Sequence, residues 1–327
     1  METNNHLKLC ILMPVYNEMD VAELLIKRLD DVLDVQTLTT TVILIDDGST
    51  SPMKKEFLTS SLKNISAVDI VNLQRNLGHQ RAIAVGLTLI HEKYSCDAVI
   101  VMDADGEDKP EDVPRLIQLF KDSGGNKIIF AERLKRSEGF IFKISYKAYQ
   151  LMHYILTGIP VKVGNFSILP FKRLSALVLV SELWNHYAAA VFSSRLPYAT
   201  LPTRRGNRLG GKSTMNFTAL VLHGLSAISV FTDIAGVRLL LFSFFLSFLL
   251  MAILVFIMLV RITSIVLVPG WLSSNIVFLL VLLLQISGGC FAIVFFILMN
   301  RINLNFIPKR DCQHFIGTAR RTYTSIE

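Results

Sequence analysis

The chain has 327 residues, of which 52% are hydrophobic and 18% are charged, and its mean hydropathy is +0.48. Soluble domains carry roughly 25% charged residues, so this composition excludes disordered, collagen-like and disulfide-scaffold proteins and indicates long apolar segments. Residues 1–119 carry 11 basic and 19 acidic side chains, whereas residues 120–236 carry 15 and 5. The split predicts two anion-handling regions, one acting through a metal and one through Lys and Arg. No nucleic-acid partner is expected, since no recognition module accompanies the basic residues.

Residues 1–135 alternate apolar strand-like runs with helical stretches, which is typical of βαβ units and a mainly parallel sheet. The expected strands are 8–15, 41–46, 67–73, 97–103 and 127–131. The dinucleotide fingerprint G-x-G-x-x-G does not follow the first strand. An α/β domain without a dinucleotide site is therefore predicted.

Polar clusters directly follow four of these strands. Ligands of parallel α/β sheets bind outside the carboxyl ends of the strands, so we expect the four clusters to share one edge. They are Pro14–Glu18, Asp46–Thr50, Arg75–Gln80 and Asp103–Asp105.

Asp103 and Asp105 are two residues apart, which puts both side chains on one side of an extended segment. Carboxylates are hard oxygen ligands suited to Mg²⁺ or Mn²⁺, which in turn bridge phosphate oxygens. The alternative is a turn stabilised by Asp side chains. The acids that follow, including Asp108 and Asp112, are interpreted as solvated charges or as charges near a helix N-terminus.

Two apolar runs, 239–260 and 276–299, are each long enough to span a membrane as a helix. Few basic residues lie between them and several follow the second, so both flanks are expected to face the cytoplasm. Residues 216–235 are interpreted either as an interfacial amphipathic helix or as a helix packed on the preceding domain. The predicted organisation is a cytoplasmic domain (1–215), a juxtamembrane helix (216–236), a transmembrane hairpin (237–300, with helices at about 238–260 and 276–299) and a basic cytoplasmic tail (301–327).

Five spaced motifs resemble the family-2 glycosyltransferases of the GT-A fold, specifically the polyprenyl-phosphate (dolichol-phosphate-type) enzymes. They read MPVYNE (13–18), ILIDDGST (43–50), QRNLGHQRAIAVGL (74–87), VIVMDADGEDKPED (99–112) and ERLKRSEGFIFK (132–143). The resemblance implies a Rossmann-like, mainly parallel GT-A domain followed by two transmembrane helices.

The resemblance also implies roles for individual residues. Asp103 and Asp105 would bind Mg²⁺ or Mn²⁺ on the donor diphosphate, and Asn165 would lie at the catalytic centre. The donor site would comprise Pro14, Tyr16, Glu18, Asp46, Asp47, Arg75, Gly78, His79 and Gln80, together with Asp103. The acceptor phosphate would meet Arg133, Arg136, Lys143, Arg205, Arg208, Lys212 and Ser213.

The family usually has Gly-Asp-Phe-Arg where this chain has Gly164-Asn165-Phe166-Ser167, so residue 165 is not expected to be a general base. The expected function is inverting transfer of a hexose from a UDP-sugar to undecaprenyl phosphate at the cytoplasmic face of a membrane. The alternatives are a GDP-mannose donor, a hydroxyl acceptor on a lipid or glycan, and an inactive membrane scaffold. The resemblance further suggests a homo-oligomer of four chains.

Overall fold

A computed structural model describes residues 6–51, 57–58, 61–133, 140–160, 163–210, 217–263, 271–302 and 306–325. The chain divides into two compact units. The first comprises residues 1–147, 161–230 and 306–327, and the second comprises residues 148–160 and 231–305.

The first unit is built on a mixed eight-stranded sheet with the strand order β7-β5-β6-β4-β1-β2-β3-β8. Parallel pairing joins β1 to β2 and β4, β2 to β3, and β5 to β7. Strands β6 and β8 run antiparallel to their neighbours. The strands are β1 Leu7–Val15, β2 Leu38–Asp46, β3 Ile65–Leu73, β4 Ala98–Val101, β5 Ile128–Arg133, β6 Val163–Pro170, β7 Tyr198–Thr203 and β8 Ile316–Thr324.

Helices cover both faces of this sheet, so its central strands are apolar on both sides. Alternate residues of β1 enter opposite cores: Ile11 packs in the core that contains α1 and α3, and Leu12 packs in the core that contains α2, α5 and α6. The helices of this unit are α1 Met19–Val32, α2 His79–Lys93, α3 Val113–Asp122, α5 Phe171–Leu177, α6 Tyr187–Ser193, α7 Phe217–Ser229 and α10 Pro308–Asp311, together with the start of α4 Phe140–Thr157.

The structure confirms the mainly parallel α/β sheet and moves its predicted strand ends by a few residues at most. It adds three strands that the βαβ pattern did not predict. Strand β6 is inserted antiparallel between β4 and β5, while β7 and β8 form the two edges. The strands that pair with β6, β7 and β8 lie far away in sequence, so no local periodicity indicates the pairing.

The segment predicted as a basic tail contributes an edge strand to the sheet. Strand β8 pairs with β3, with Ala67 opposite Thr324 and Leu73 opposite Ile316. The Arg321 guanidinium donates to both carboxylate oxygens of the buried Asp69, at 2.8 and 3.0 Å. The Tyr323 hydroxyl bonds the backbone N–H and C=O of Leu62 at 2.9 and 3.0 Å. Strand β8 is therefore part of the fold of the first unit.

The second unit contains two long apolar helices, α8 Thr232–Thr263 and α9 Trp271–Ile302. Within them, Thr232–Val260 and Ser274–Phe296 are long and apolar enough to cross a membrane. The end of α4 belongs to the same unit, where Arg238 donates to the backbone oxygens of Tyr154 and Ile155 at 3.2 and 2.7 Å. The predicted juxtamembrane segment comprises α7 and, after a break, the first residues of α8.

We predict that Arg321→Gln destabilises the protein because it leaves the buried Asp69 carboxylate without its bidentate partner. Half of the Arg321 side chain is exposed, which limits the loss to about 1–2 kcal/mol. Thermal melting of the full chain in detergent measures the change. The control is Arg310→Gln, which breaks a bidentate pair with the more exposed Asp311. Equal melting temperatures of the two variants would contradict the prediction.

Candidate active site

The strand register brings the four predicted polar clusters to one edge of the sheet. Val15 lies opposite Asp46, Asp46 lies opposite Asn72, and Leu12 lies opposite Val101. Because these pairings are parallel, the segments that follow β1, β2, β3 and β4 leave the sheet side by side. Residues from four distant stretches of sequence therefore meet at one place.

The first two of these segments are joined by hydrogen bonds around Asn17. The Asn17 side-chain oxygen accepts from the backbone N–H groups of Thr50 and Ser51 at 2.8 and 3.0 Å, and the Asn17 N–H donates to Ser49 Oγ at 2.8 Å. Asp46 Oδ1 in turn accepts from the Ser49 N–H at 2.9 Å. The Tyr16 side chain remains 42% exposed beside this junction. An aromatic ring is thus available for stacking at the edge.

The next segment, residues 74–78, is held by Asp47 and Gly48. The buried Asp47 carboxylate accepts from the backbone N–H groups of Leu77 and Gly78 at 2.7 and 2.8 Å. Burial raises the pKa of Asp47, and these two hydrogen bonds oppose the rise. Gly48 has φ +69°, and a Cβ there would lie 2.6 Å from the Asn76 nitrogen. Asp47, predicted as a donor-site residue, therefore uses both oxygens to shape the neighbouring segment.

A chain of amide groups fixes the orientation of Asn165. The Tyr187 backbone N–H donates to Gln80 Oε1 at 2.8 Å, Gln80 Nε2 donates to Asn165 Oδ1 at 3.1 Å, and Asn165 Nδ2 lies 3.0 Å from His79 Nε2. A backbone N–H can only donate, so it determines which way both amides point. Asn165 is buried; its amide oxygen accepts from Gln80, and its amide nitrogen lies beside the His79 ring.

Asp103 lies between His79 and Asp108. His79 Nε2 is 3.1 Å from Asp103 Oδ1, and the Asp103 N–H donates to Asp108 Oδ2 at 3.0 Å. Burial lowers the pKa of His79, but the charge and hydrogen bond of Asp103, together with the charges of Asp108 and Asp105, outweigh it, so the net shift is upward. Asp108, expected to be a solvated charge or a charge near a helix N-terminus, is buried because it closes the turn that carries Asp103.

Arg208 connects the first and fourth segments electrostatically. Its Nη2 donates to the two carboxylate oxygens of Glu18 at 3.0 and 3.1 Å and lies 3.6 Å from Asp105 Oδ2. Burial and the charge of Asp103 raise the pKa of the Asp105 carboxyl, while the Glu107 N–H and Arg208 act in the opposite direction. A positive charge at this position therefore stabilises a crowded group of acids.

The segment that carries Arg208 lies against the turn after β4. The N–H groups of Gly206 and Leu209 donate to the backbone oxygens of Glu107 and Asp105 at 2.8 and 2.9 Å. A Cβ at Gly206 would lie 2.6 Å from the Gly106 oxygen, so glycine is required for this approach. Arg205 forms an ion pair with Glu107. Arg205 and Arg208, which the sequence places at the acceptor phosphate, thus contact the acids Glu107 and Glu18.

The structure thus brings the predicted donor-site and metal-site residues together. Of the predicted acceptor residues, Arg133 ends β5 and Lys143 lies in α4, but their side chains are outside the described part of the structure, as are Arg136, Lys212 and Ser213 entirely. Sequence reasoning missed Tyr187 and Asp108, which hold the site by backbone and side-chain hydrogen bonds. The position of Asn165 follows from the strand register. Val101 lies opposite Ser167, so antiparallel β6 brings Asn165 close to Asp103.

The acidic residues fit a divalent cation bound jointly with a ligand. Among the described residues, no group of three or more His, Cys, Asp and Glu side chains forms a complete metal site. Asp103 and Asp105 can supply oxygens, and their mutual repulsion would be offset by a bound cation. The remaining positions of such an ion would be filled by ligand oxygens or water.

The sequence model described as glycosyl transferase family 2 matches residues 10–176, which carry the whole donor-side edge described above except Arg205, Arg208 and Tyr187. The chain belongs to this family. Relatives include an uncharacterized glycosyltransferase of Synechocystis sp., 32% identical over 54% of this chain and 54% of the relative, and one of Bacillus subtilis, 26% identical over 70% of each.

A further family-2 relative is the undecaprenyl-phosphate 4-deoxy-4-formamido-L-arabinose transferase of Yersinia enterocolitica, which is 32% identical over 46% of this chain. The alignment spans only 44% of that protein's length, and the alignment to the Synechocystis protein also spans about half. Glucosyl-3-phosphoglycerate synthase of Mycobacterium tuberculosis superposes with a TM-score of 0.50 at 16% identity, covering 70% of this chain and 80% of the synthase. The catalytic unit of this family-2 enzyme therefore has a GT-A-like fold.

We predict that Gln80→Met destabilises the protein by about 1–3 kcal/mol, because the Tyr187 N–H and Asn165 Oδ1 lose their buried partner. Melting of the full chain in detergent measures the loss. Gln118→Met is the matched control, since Gln118 bonds Asp122 on the exposed face of a helix. Equal melting temperatures of Gln80→Met and Gln118→Met would show that the chain of amide hydrogen bonds adds no stability.

Proposed function

We propose that this family-2 enzyme transfers a hexose from a nucleotide-sugar, preferably a UDP-sugar, to undecaprenyl phosphate or a similar polyprenyl phosphate. The observation that carries the proposal is the combination, in one chain, of the acidic edge around Asp103 and Asp105 with two helices able to span a membrane. A nucleotide-sugar accounts for the acidic edge through a bridging cation, and a lipid acceptor accounts for the helices. The Yersinia relative, by its name, acts on undecaprenyl phosphate.

In the proposed reaction, an oxygen of the lipid phosphate attacks the anomeric carbon of the sugar. The bond from that carbon to the diphosphate oxygen breaks, the nucleoside diphosphate leaves with the bonding electrons, and the anomeric configuration inverts. Asp103 and Asp105 would hold Mg²⁺ or Mn²⁺, which when bound supplies Lewis-acid stabilisation of the leaving diphosphate. Tyr16, exposed at the edge, would stack on the nucleobase.

The environment of Asn165 supports an acceptor that is already anionic. An amide cannot take a proton from a hydroxyl nucleophile, and the oxygen of this one already accepts from Gln80. A phosphate oxygen is ionised at neutral pH and needs only positioning. The proposed positioning groups are Arg133, Arg136, Lys143, Lys212 and Ser213.

The contacts of Arg208 support a place on the donor side of the site. Its guanidinium already neutralises Glu18 and Asp105, where the diphosphate and its cation would bind. We therefore propose that Arg205 and Arg208, on the segment against the acidic turn, interact with the donor rather than with the lipid phosphate.

Both ends of the helix pair return to one folded unit, which supports a two-span topology. Strand β8 follows α9 and pairs with β3, which precedes α8. A chain that leaves and re-enters the same sheet must cross a membrane an even number of times. We propose that the catalytic unit and both termini face the cytoplasm. In this proposal the catalytic domain (1–215), the juxtamembrane helix (216–236), the transmembrane hairpin (237–300) and the cytoplasmic segment (301–327) follow one another along the chain. We also propose that the chain forms oligomers.

The reaction is tested with membranes that contain the parent protein, undecaprenyl phosphate and a panel of radiolabelled UDP- and GDP-sugars. We expect butanol-extractable, acid-labile label with a UDP-sugar, lost on chelation and restored by Mn²⁺ or Mg²⁺. Mn²⁺ with UDP-glucose is the first pair to test, since the mycobacterial synthase binds both. Asp105→Ala should abolish transfer, whereas Asp122→Asn on the surface of α3 should leave it unchanged.

Each alternative has its own result in this assay. Label from GDP-mannose alone would identify GDP-mannose as the donor in place of a UDP-sugar. Acid-stable label would indicate that the acceptor is a hydroxyl group and not a phosphate. A folded protein that binds no nucleotide-sugar with either metal would be a membrane scaffold. Equal transfer by Asp105→Ala and Asp122→Asn would remove Asp105 from the mechanism.

The topology is tested by labelling introduced cysteines with a membrane-impermeant maleimide in intact and in permeabilised cells. Cysteines at Asp122 and Ser325 should react only after permeabilisation, whereas a cysteine within residues 264–270 should react in intact cells. The parent chain, with its four native cysteines, supplies the background. Opposite accessibility of positions 122 and 325 would refute the two-span arrangement.

A further inference from the structure

The segment after α9 lies against the donor-side residues that follow β3. The Gln74 N–H donates to the Phe315 oxygen at 3.0 Å, and the Arg75 guanidinium carbon lies 5.8 Å from the centre of the Phe315 ring. On the neighbouring strand pair, Asn72 Nδ2 donates to Thr318 Oγ1 at 2.8 Å. Residues 315–318 thus lie alongside the end of β3 and the residues that come directly after it.

Phe315 itself is held in place by other aromatic rings. Its centroid lies 5.3 Å from that of Trp184 and 6.1 Å from that of Phe306, and the latter two rings stack at 3.9 Å. Beyond Phe315, the bond between Tyr323 and Leu62 and the ion pair between Arg321 and Asp69 fix the strand. The ring is a rigid surface, and a cation stacked on it loses part of its freedom to move.

Arg75 is therefore restrained on two sides. Its backbone lies against Gly48, where a Cβ would approach the Arg75 carbonyl carbon to 2.7 Å, and its side chain lies over Phe315. Arginine has many rotamers, and ordering a free arginine side chain on binding costs conformational entropy. A ring that pre-orders the guanidinium lowers that cost for an anionic ligand.

We propose that Phe315 is a positioning residue for Arg75, so that the segment following the second apolar helix completes the donor site. The inference rests on the proposed function, in which Arg75 contacts the nucleotide-sugar. It gives the return of the chain from the helix pair a role in binding: a domain cut before α8 would lack Phe315 as well as the edge strand.

The test is nucleotide binding by the full-length protein in detergent, with UDP and GDP as probes in the presence of Mn²⁺. Phe315→Leu keeps an apolar side chain but removes the ring, and we expect it to weaken nucleotide binding about two- to fivefold, the range of an exposed cation–π contact. Phe315→Tyr keeps the ring and should bind as the parent does. In the transfer assay, Phe315→Leu should raise the donor KM and leave kcat unchanged.

A double-variant cycle separates positioning of Arg75 from general packing. Arg75→Ala should weaken nucleotide binding, and adding Phe315→Leu to it should have no further effect. Tyr323→Phe is the matched control: it loosens the far end of β8, so it should lower the melting temperature without changing nucleotide affinity.

Three results would overturn the inference while leaving the proposed function intact. They are parent-like affinity of Phe315→Leu, an equal effect of that change in the Arg75→Ala background, and an equal loss of affinity in Tyr323→Phe. A parent protein that binds neither UDP nor GDP would overturn the proposed function and this inference together.

Discussion

The parallel pairing of β1 with both β2 and β4 is the constraint on which the rest of the site depends. It makes the carboxyl ends of these strands coincide, so that Glu18, Asp46 and Asp103 leave the sheet at one edge. Hydrogen bonds around Asn17 and Asp47 then join adjacent segments into one surface. A shift of register by one residue would turn every side chain to the opposite face and disperse the acids.

Gathering acids in this way has an electrostatic consequence. Asp103 and Glu107 repel Asp105, and burial adds to the free energy of keeping Asp105 ionised. Arg208 offsets part of that repulsion, and His79 lies against Asp103 on the other side. The same field that makes the ligand-free edge unfavourable favours a divalent cation with its anionic ligand. The acidic edge and the segment that carries Arg205 and Arg208 thus neutralise each other in part.

The segment that follows the two apolar helices is part of the first folded unit. Strand β8 returns from the apolar helices to the free edge of β3, where it covers backbone groups that would otherwise be open to pairing with another chain. The contacts with Asp69 and Leu62 hold the strand, and the Phe315 ring lies under the Arg75 guanidinium. In this family-2 enzyme, the segment beyond the helices is thus a structural part of the catalytic unit.

The sequence by itself determined the parallel α/β core, the two apolar helices and the four polar clusters, because apolar periodicity and strand-end chemistry are local properties. Only the tertiary structure decided which residues support them. Asn165 reaches Asp103 through an antiparallel strand, Arg208 reaches Glu18 from 190 residues away, and the supposed tail became β8. These outcomes depend on long-range pairing, whose stabilising contacts exist only once the chain has folded and therefore leave no periodic signal in the sequence.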